Sequence, residues 1–138
     1  MMDPKEIDHV GIAVDDLEAA IAYYQNTVGA KLVHREVIVS DKVEEAMMQV
    51  AESFLQLLCP TEPDSPVGRF LAKHGPGLHH LALRVDDCAE ALNAFKTGGH
   101  RLIDETPRPG SRGTTVAFVH PTASFGTLIE LVEERPST

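Results

Sequence analysis

The chain has 138 residues, of which 43% are hydrophobic and 24% are charged, a composition typical of one globular domain rather than a disordered or fibrous protein. It carries 12 Lys and Arg against 21 Asp and Glu, a formal net charge of −9. This charge argues against duplex nucleic-acid binding, which depends on clustered cations. There is no apolar run of about 18 residues and no secretion signal at the start, so we expect a cytoplasmic protein without membrane contact.

Two segments of the chain repeat each other. Residues 9–16 (HVGIAVDD) reappear as residues 80–87 (HLALRVDD). Each copy predicts a strand, an Asp N-cap and an amphipathic helix that ends at glycine. Each half then has room for three more strands, predicted at 31–39, 42–50 and 54–58 in the first and at 100–105, 114–119 and 128–132 in the second. Each half therefore predicts a βαβββ module.

The segment 60–77 is rich in proline and glycine and is predicted to be a linker, with a short helix over 67–73. A single half of about 65 residues is marginally stable alone, so we expect one domain over 1–138. Its modules are predicted at 7–59 and 78–133. The expected fold class is α+β, with the two βαβββ modules paired by pseudo-two-fold symmetry into an eight-stranded open cup.

Strand alternation predicts which side chains share a face. In the strand from His9, residues Val10, Ile12 and Val14 face the helix, and His9 lies on the other face. His80 takes the place of His9 in the second copy. Gln56 and Glu130 are likewise matched, because each is the single polar residue in an apolar strand.

Taken singly, each of these four residues is more often structural or solvent-exposed than a ligand. A pseudo-two-fold pairing of the halves would nevertheless bring the matched positions together. Two imidazoles, one amide oxygen and one carboxylate suit a borderline divalent ion with open coordination positions. The repeat therefore predicts a metal site formed by His9, Gln56, His80 and Glu130.

Several segments also resemble one known family. They are residues 7–14 (IDHVGIAV), 64–71 (DSPVGRFL), 77–82 (GLHHLA), 102–110 (LIDETPRPG), 116–121 (VAFVHP) and 126–131 (GTLIEL). The duplicated module is similar to the vicinal oxygen chelate superfamily, which includes glyoxalase, bleomycin-resistance and dioxygenase-like proteins. Within it, residues 7–133 closely resemble the methylmalonyl-CoA epimerase family.

The resemblance implies an isomerase of propionate metabolism that interconverts (R)- and (S)-methylmalonyl-CoA by α-proton abstraction through a metal-stabilised enolate. It implies the same four ligands for one divalent metal per chain, Co²⁺ first, with Mn²⁺, Ni²⁺ or Zn²⁺ as alternatives. It places the catalytic base at Glu45 and gives Glu130 a second role as the opposing acid. A homodimer is also expected.

The residues alone favour a different role for Glu45, as half of a solvated acidic pair with Glu44. A tight turn at Glu52 and Ser53 would pair Gln49 with Gln56, which puts Glu45 on the correct face but roughly 13 Å from Gln49 along the strand. Two positions also depart from the family pattern. Lys42 stands where the family usually has Gly, and Thr122 where it usually has Lys.

The phosphates of coenzyme A need local cations in a chain of this charge. The predicted contacts are Arg108 and Arg112, which flank a loop whose backbone amides also suit phosphate, with Arg69 and Lys73 as further candidates. Loop arginines are, however, commonly only solvated.

Three other functions remain open. Glyoxalase I, acting on a glutathione hemithioacetal, uses nearly the same ligands, and a drug-binding resistance protein of this fold needs no catalysis. An extradiol dioxygenase is disfavoured by Gln56 as a fourth ligand.

Overall fold

The computed structural model describes residues 1–134, which form eight strands and three α-helices. The strands are β1 Glu6–Ala13, β2 Lys31–Ile38, β3 Val43–Val50, β4 Ser53–Pro60, β5 Gly77–Arg84, β6 Arg108–Pro109, β7 Thr115–Val119 and β8 Ile129–Glu133. The helices are α1 Leu17–Tyr23, α2 Pro66–His74 and α3 Cys88–Thr97. The chain divides into two compact units, residues 9–79 (the first unit) and residues 1–8 with the chain from residue 80 onward (the second unit).

In the first unit the strands follow the order β2-β3-β4-β1, with β1 parallel to β4 and the other neighbours antiparallel. Helix α1 begins as predicted at an Asp N-cap, because the Asp16 side chain accepts a hydrogen bond from the backbone N–H of Ala19. Its apolar side packs into a buried cluster of Leu17, Ile21, Ala30, Ala46, Met48 and Leu57. Ile12 of β1 and Val14, directly after it, lie against this cluster, so the predicted helix-facing side is confirmed for these two residues.

The second unit repeats this arrangement with the order β5-β8-β7-β6 and a parallel β5–β8 pair. Asp87 caps α3 by accepting from the backbone N–H of Glu90. Leu81 and Leu83 of β5, and Val85 directly after it, lie in or against the cluster formed with α3, as the repeat predicts.

The strand predicted over 100–105 is wrong, because the second strand of this module is instead the two-residue β6. In the predicted segment Leu102 makes only an isolated bridge to Val119. The backbone N–H groups of Ile103 and Asp104 both donate to the carbonyl of Phe118, and the Asp104 side chain accepts the N–H of Phe118. A side chain thus takes a bond that a regular ladder gives to the backbone.

The linker helix is confirmed and runs slightly beyond the predicted 67–73. Pro66 occupies its first turn, and the Ser65 hydroxyl accepts from the backbone N–H of Gly68 at 3.0 Å. Val67 is buried in a small cluster of the first unit with Ala13, Val43 and Leu58. Among residues 1–134, no helix is both long and apolar enough to cross a membrane.

Candidate active site

The turn between β3 and β4 fixes how far Glu45 lies from Gln56. The register predicted from the sequence is wrong: the chain turns at Ala51 and Glu52, and Gln56 pairs with Met47 rather than with Gln49. Glu45 is therefore two residues, roughly 7 Å, from the position opposite Gln56, not four. The two-residue shift preserves the predicted face.

The Glu45 side chain is fully buried, at 0% exposure. Its Oε2 accepts a hydrogen bond from Nε2 of Gln56. The adjacent Glu44 is partly exposed, and its carboxylate accepts from Nε of Arg35 at 2.8 Å. The two glutamates are thus not a solvated pair, because Glu45 is buried and hydrogen-bonded to Gln56.

His9 and Gln56 lie on the same face of the first unit, as strand alternation predicts. Gly11 is the register partner of Gln56 in the parallel β1–β4 pair, and the buried His9 precedes Gly11 by two residues. Gln56 Oε1 is buried and has no hydrogen-bond partner among residues 1–134. Because an unsatisfied buried oxygen is costly, this atom fits the role of a cation ligand.

The second unit places His80 and Glu130 together in the matching way. Ala82 is the register partner of Glu130, as Gly11 is of Gln56. His80 Nε2 lies 3.2 Å from Glu130 Oε1, and both side chains are largely buried. An imidazole beside a carboxylate is a donor pair that suits a borderline divalent metal. The donors of each unit therefore fit such an ion.

The two predicted coenzyme A arginines have different surroundings. Arg112 Nη2 donates to Oδ2 of the buried Asp8 at 3.0 Å, while Nε and Nη2 of Arg84 donate to Asp8 Oδ1 at 3.0 and 2.8 Å. Sequence reasoning missed this network, since Asp8 has no sequence mark of burial. Arg112 is therefore held in an internal ion-pair network.

Arg108 is more accessible than Arg112. Its guanidinium carbon lies 5.4 Å from the centre of the Phe118 ring, and its Nε donates to Asp104 Oδ1 at 3.2 Å. The side chain is 34% exposed. Of the two arginines, Arg108 is the better placed to meet a ligand from solvent.

Sequence reasoning also missed two residues of β2 that lie beside Glu45. His34 Nε2 lies 2.9 Å from Glu36 Oε1 and 3.7 Å from Glu45 Oε1. A His-x-Glu pattern in a strand puts both side chains on one face, so the sequence does indicate that His34 and Glu36 are neighbours. An irregularity in the pairing of β2 with β3 hid which face this is.

Both departures from the family pattern have local structural roles. Lys42 adopts the left-handed conformation that favours glycine, with φ 53° and ψ 48°, and its Nζ lies 2.7 Å from Glu62. Thr122 Oγ1 lies 2.8 Å from Nδ1 of His120. Lys42 therefore keeps the turn before β3 at the cost of some backbone strain.

Comparisons with known proteins agree with this geometry. The profile of the Glyoxalase/Bleomycin resistance protein/Dioxygenase superfamily matches residues 8–118. The ethylmalonyl-CoA/methylmalonyl-CoA epimerase of Cereibacter sphaeroides is 35% identical over 127 residues, which cover 91% of this chain and 95% of that protein.

Two solved structures extend the likeness to the fold. Methylmalonyl-CoA epimerase from Mycobacterium tuberculosis has a TM-score of 0.92 and 39% identity, covering 96% of this chain and 90% of that chain. A variant of the Streptomyces coelicolor methylmalonyl-CoA epimerase in complex with 2-nitronate-propionyl-CoA has a TM-score of 0.92 and 38% identity, covering 97% and 100%. The likeness spans both modules, and the predicted fold class is confirmed.

Proposed function

We propose that this chain, which belongs to the glyoxalase/bleomycin resistance protein/dioxygenase superfamily and within it to the methylmalonyl-CoA epimerase family, interconverts (R)- and (S)-methylmalonyl-CoA. The observation that carries the proposal is the likeness, over 97% of the chain, to an epimerase that holds a propionyl-CoA analogue. Ethylmalonyl-CoA is a second candidate substrate, because a relative of 35% identity is named for both esters.

We infer that His9, Gln56, His80 and Glu130 together hold one divalent ion, with Co²⁺ as its proposed identity. The proximity of His80 to Glu130 and the buried Gln56 oxygen support this ligand set. When bound, the ion supplies Lewis-acid stabilisation of the negative charge that develops on the substrate oxygens.

The protein's own carboxylates move the proton. The substrate α-carbon lies between a thioester carbonyl and a carboxylate, so its C–H bond breaks with the electron pair delocalised as an enolate. Glu45 takes this proton on one face, and Glu130 is the proposed acid that returns a proton to the other. Burial of Glu45 excludes water from the base, and the bond from Gln56 orients its carboxylate.

Three further features stay part of the proposal: contact of Arg108 and Arg112 with coenzyme A phosphates, a homodimer, and a cytoplasmic location in propionate metabolism. The homodimer is tested by analytical ultracentrifugation of the purified protein, which distinguishes a dimer from a single 15.0 kDa chain.

The substrate assignment is tested by assaying the purified full chain on methylmalonyl-CoA, ethylmalonyl-CoA and a glutathione hemithioacetal. We expect epimerisation of a malonyl thioester and no turnover of the hemithioacetal. Turnover of the hemithioacetal alone would instead show a glyoxalase I. Tight binding of an aromatic drug without turnover of any ester would show a resistance protein.

The ligand set is tested by His80→Ala, which we expect to lose the bound metal and the activity while the circular dichroism spectrum is retained. Metal content per chain is measured by plasma emission spectroscopy. His79→Ala is the matched control, because the neighbouring side chain leaves β5 on the other face and packs on Phe70. Stoichiometric metal in His80→Ala, or equal loss in both variants, would contradict the assignment.

A further inference from the structure

Strand β2 contains a β-bulge beside Glu45. Leu32 pairs with Met48, but the next residue of β3, Met47, pairs with His34, so Val33 is an extra residue in β2. A bulge of this kind changes the side-chain alternation of one strand, and bulges commonly re-aim side chains near active sites.

Because of the bulge, alternate residues of β2 change from one face of the sheet of the first unit to the other. Leu32 packs against the cluster beneath α1, whereas His34 and Glu36 lie on the face of Glu45. Regular pairing continued from Leu32 would instead put Arg35 opposite Glu45. Arg35 is directed away and pairs with Glu18 and Glu44. The bulge thus puts an imidazole beside Glu45 in place of a permanent guanidinium.

The imidazole lies between two carboxylates. Glu36 and Glu45 are direct register partners, an arrangement in which like charges repel. His34 Nε2 lies 2.9 Å from Glu36 Oε1 and 3.7 Å from Glu45 Oε1. His34 Nε2 and Glu36 Oε1 are thus within hydrogen-bonding distance, and an ionised Glu36 carboxylate would accept from an N–H group at Nε2. The ring is therefore held beside Glu36, with its Nε2 edge near Glu45.

Resting on the proposed function, we propose that His34 is a positioning residue for Glu45. Gln56 holds one oxygen of the Glu45 carboxylate, and His34, anchored by Glu36, faces the other. The Gln56 hydrogen bond and the adjacent His34 ring together restrict rotation of the carboxylate about its last side-chain bond. A displacement of about 1 Å in a reacting group is enough to cost roughly 100-fold in rate.

The test compares three variants of the full chain in a methylmalonyl-CoA epimerisation assay. His34→Leu removes the N–H group and is expected to lower kcat by roughly 10- to 100-fold with KM within about 2-fold of wild type. His34→Gln keeps an N–H donor near Nε2 and is expected to recover most of kcat. Arg35→Gln, on the opposite face of the same strand, is the matched control and should keep both constants.

Several results would overturn the inference: unchanged kcat in His34→Leu, an equal kcat loss in His34→Leu and His34→Gln, or an equal loss in Arg35→Gln. A rise in KM alone would assign His34 to substrate binding instead.

A second measurement does not depend on activity. The ¹⁵N resonances of the His34 ring should shift in Glu45→Gln, and unshifted resonances would overturn the contact. Absence of malonyl thioester turnover by the wild type would defeat the proposed function alone, since the resonance measurement would still decide the role of His34.

Discussion

The two units share one topology but differ in chemistry at corresponding positions. Gln56 is paired with Met47 in the first unit, and Glu130 is paired with Phe118 in the second. Two residues before these partners, the first unit has Glu45 and the second has Val116. Val116 is buried in an apolar cluster with Ala82 and Val132. The proposed ligands therefore have counterparts of similar chemistry in both units, whereas the proposed base has an apolar counterpart.

The neighbouring strand shows the same asymmetry. Glu36 is the register partner of Glu45 in the first unit, and Arg108 is the register partner of Val116 in the second. The position of Glu36, which is hydrogen-bonded to His34 in the first unit, thus holds the accessible cation Arg108 in the second. A repeat is informative about the function both copies retain, and its broken positions indicate where the copies have specialised.

The largest expected effect comes from removing the carboxylate of Glu45, which has no counterpart in the second unit. Glu45→Gln should keep metal content yet slow exchange of the substrate α-proton with deuterated solvent by roughly 100-fold or more, the usual contribution of a general base. The exchange is followed by mass spectrometry of the recovered ester.

Glu44→Gln is the matched control, because this adjacent carboxylate bonds Arg35. It should exchange the proton at the wild-type rate. Exchange at the wild-type rate in Glu45→Gln would show that Glu45 is not the base. The proposed division of roles between the two units would then be wrong as well.

A second difference lies one residue before the paired histidines, where the first copy has Asp8 and the second has His79. Asp8→Ala should lower the free energy of unfolding by about 2 kcal/mol, since removing a buried carboxylate leaves Arg84 and Arg112 without their shared partner. Their partial exposure keeps the loss below that of fully buried charges. Urea unfolding measures it.

Asp3→Ala provides the reference, because Asp3 makes an exposed pair with Lys5. Its unfolding midpoint should match that of wild type. Equal midpoints for Asp8→Ala and wild type would show that the Asp8 network adds nothing to stability.

The sequence predicted the duplicated features better than the local irregularities. The face of His9 and of His80 within their own strands follows from strand alternation, which needs no knowledge of the turns. The β3–β4 register was wrong because Ala51, with φ 54°, occupies a left-handed turn position that its residue type does not indicate. The bulge at Val33 and the side-chain bond of Asp104 likewise leave no pattern in the sequence, and both depend on tertiary contacts.

Arg108 is the accessible cation of the second unit, and its loss should weaken substrate binding. Arg108→Ala should raise KM for the coenzyme A ester about 5-fold, the factor that about 1 kcal/mol gives, with kcat nearly unchanged, because a phosphate contact binds ground and transition states alike. Steady-state kinetics measure both constants.

The same variant assayed on a truncated pantetheine thioester separates phosphate binding from other effects. The defect should disappear on that substrate, and its full persistence would show that Arg108 does not contact the nucleotide. Arg112→Ala loses the hydrogen bond to Asp8 and should therefore lower the free energy of unfolding. Its effect on KM should be smaller than that of Arg108→Ala.

The smallest expected effect lies at Lys42, where the first unit enters β3 through a left-handed residue with φ 53°. Because that conformation strains every residue with a Cβ atom, Lys42→Gly should be more stable than Lys42→Ala by about 1 kcal/mol. Both variants lose the exposed ion pair with Glu62, so their difference isolates the backbone contribution. Thermal unfolding of the two variants measures this difference. Equal stability would mean that a side chain at this position adds no backbone strain.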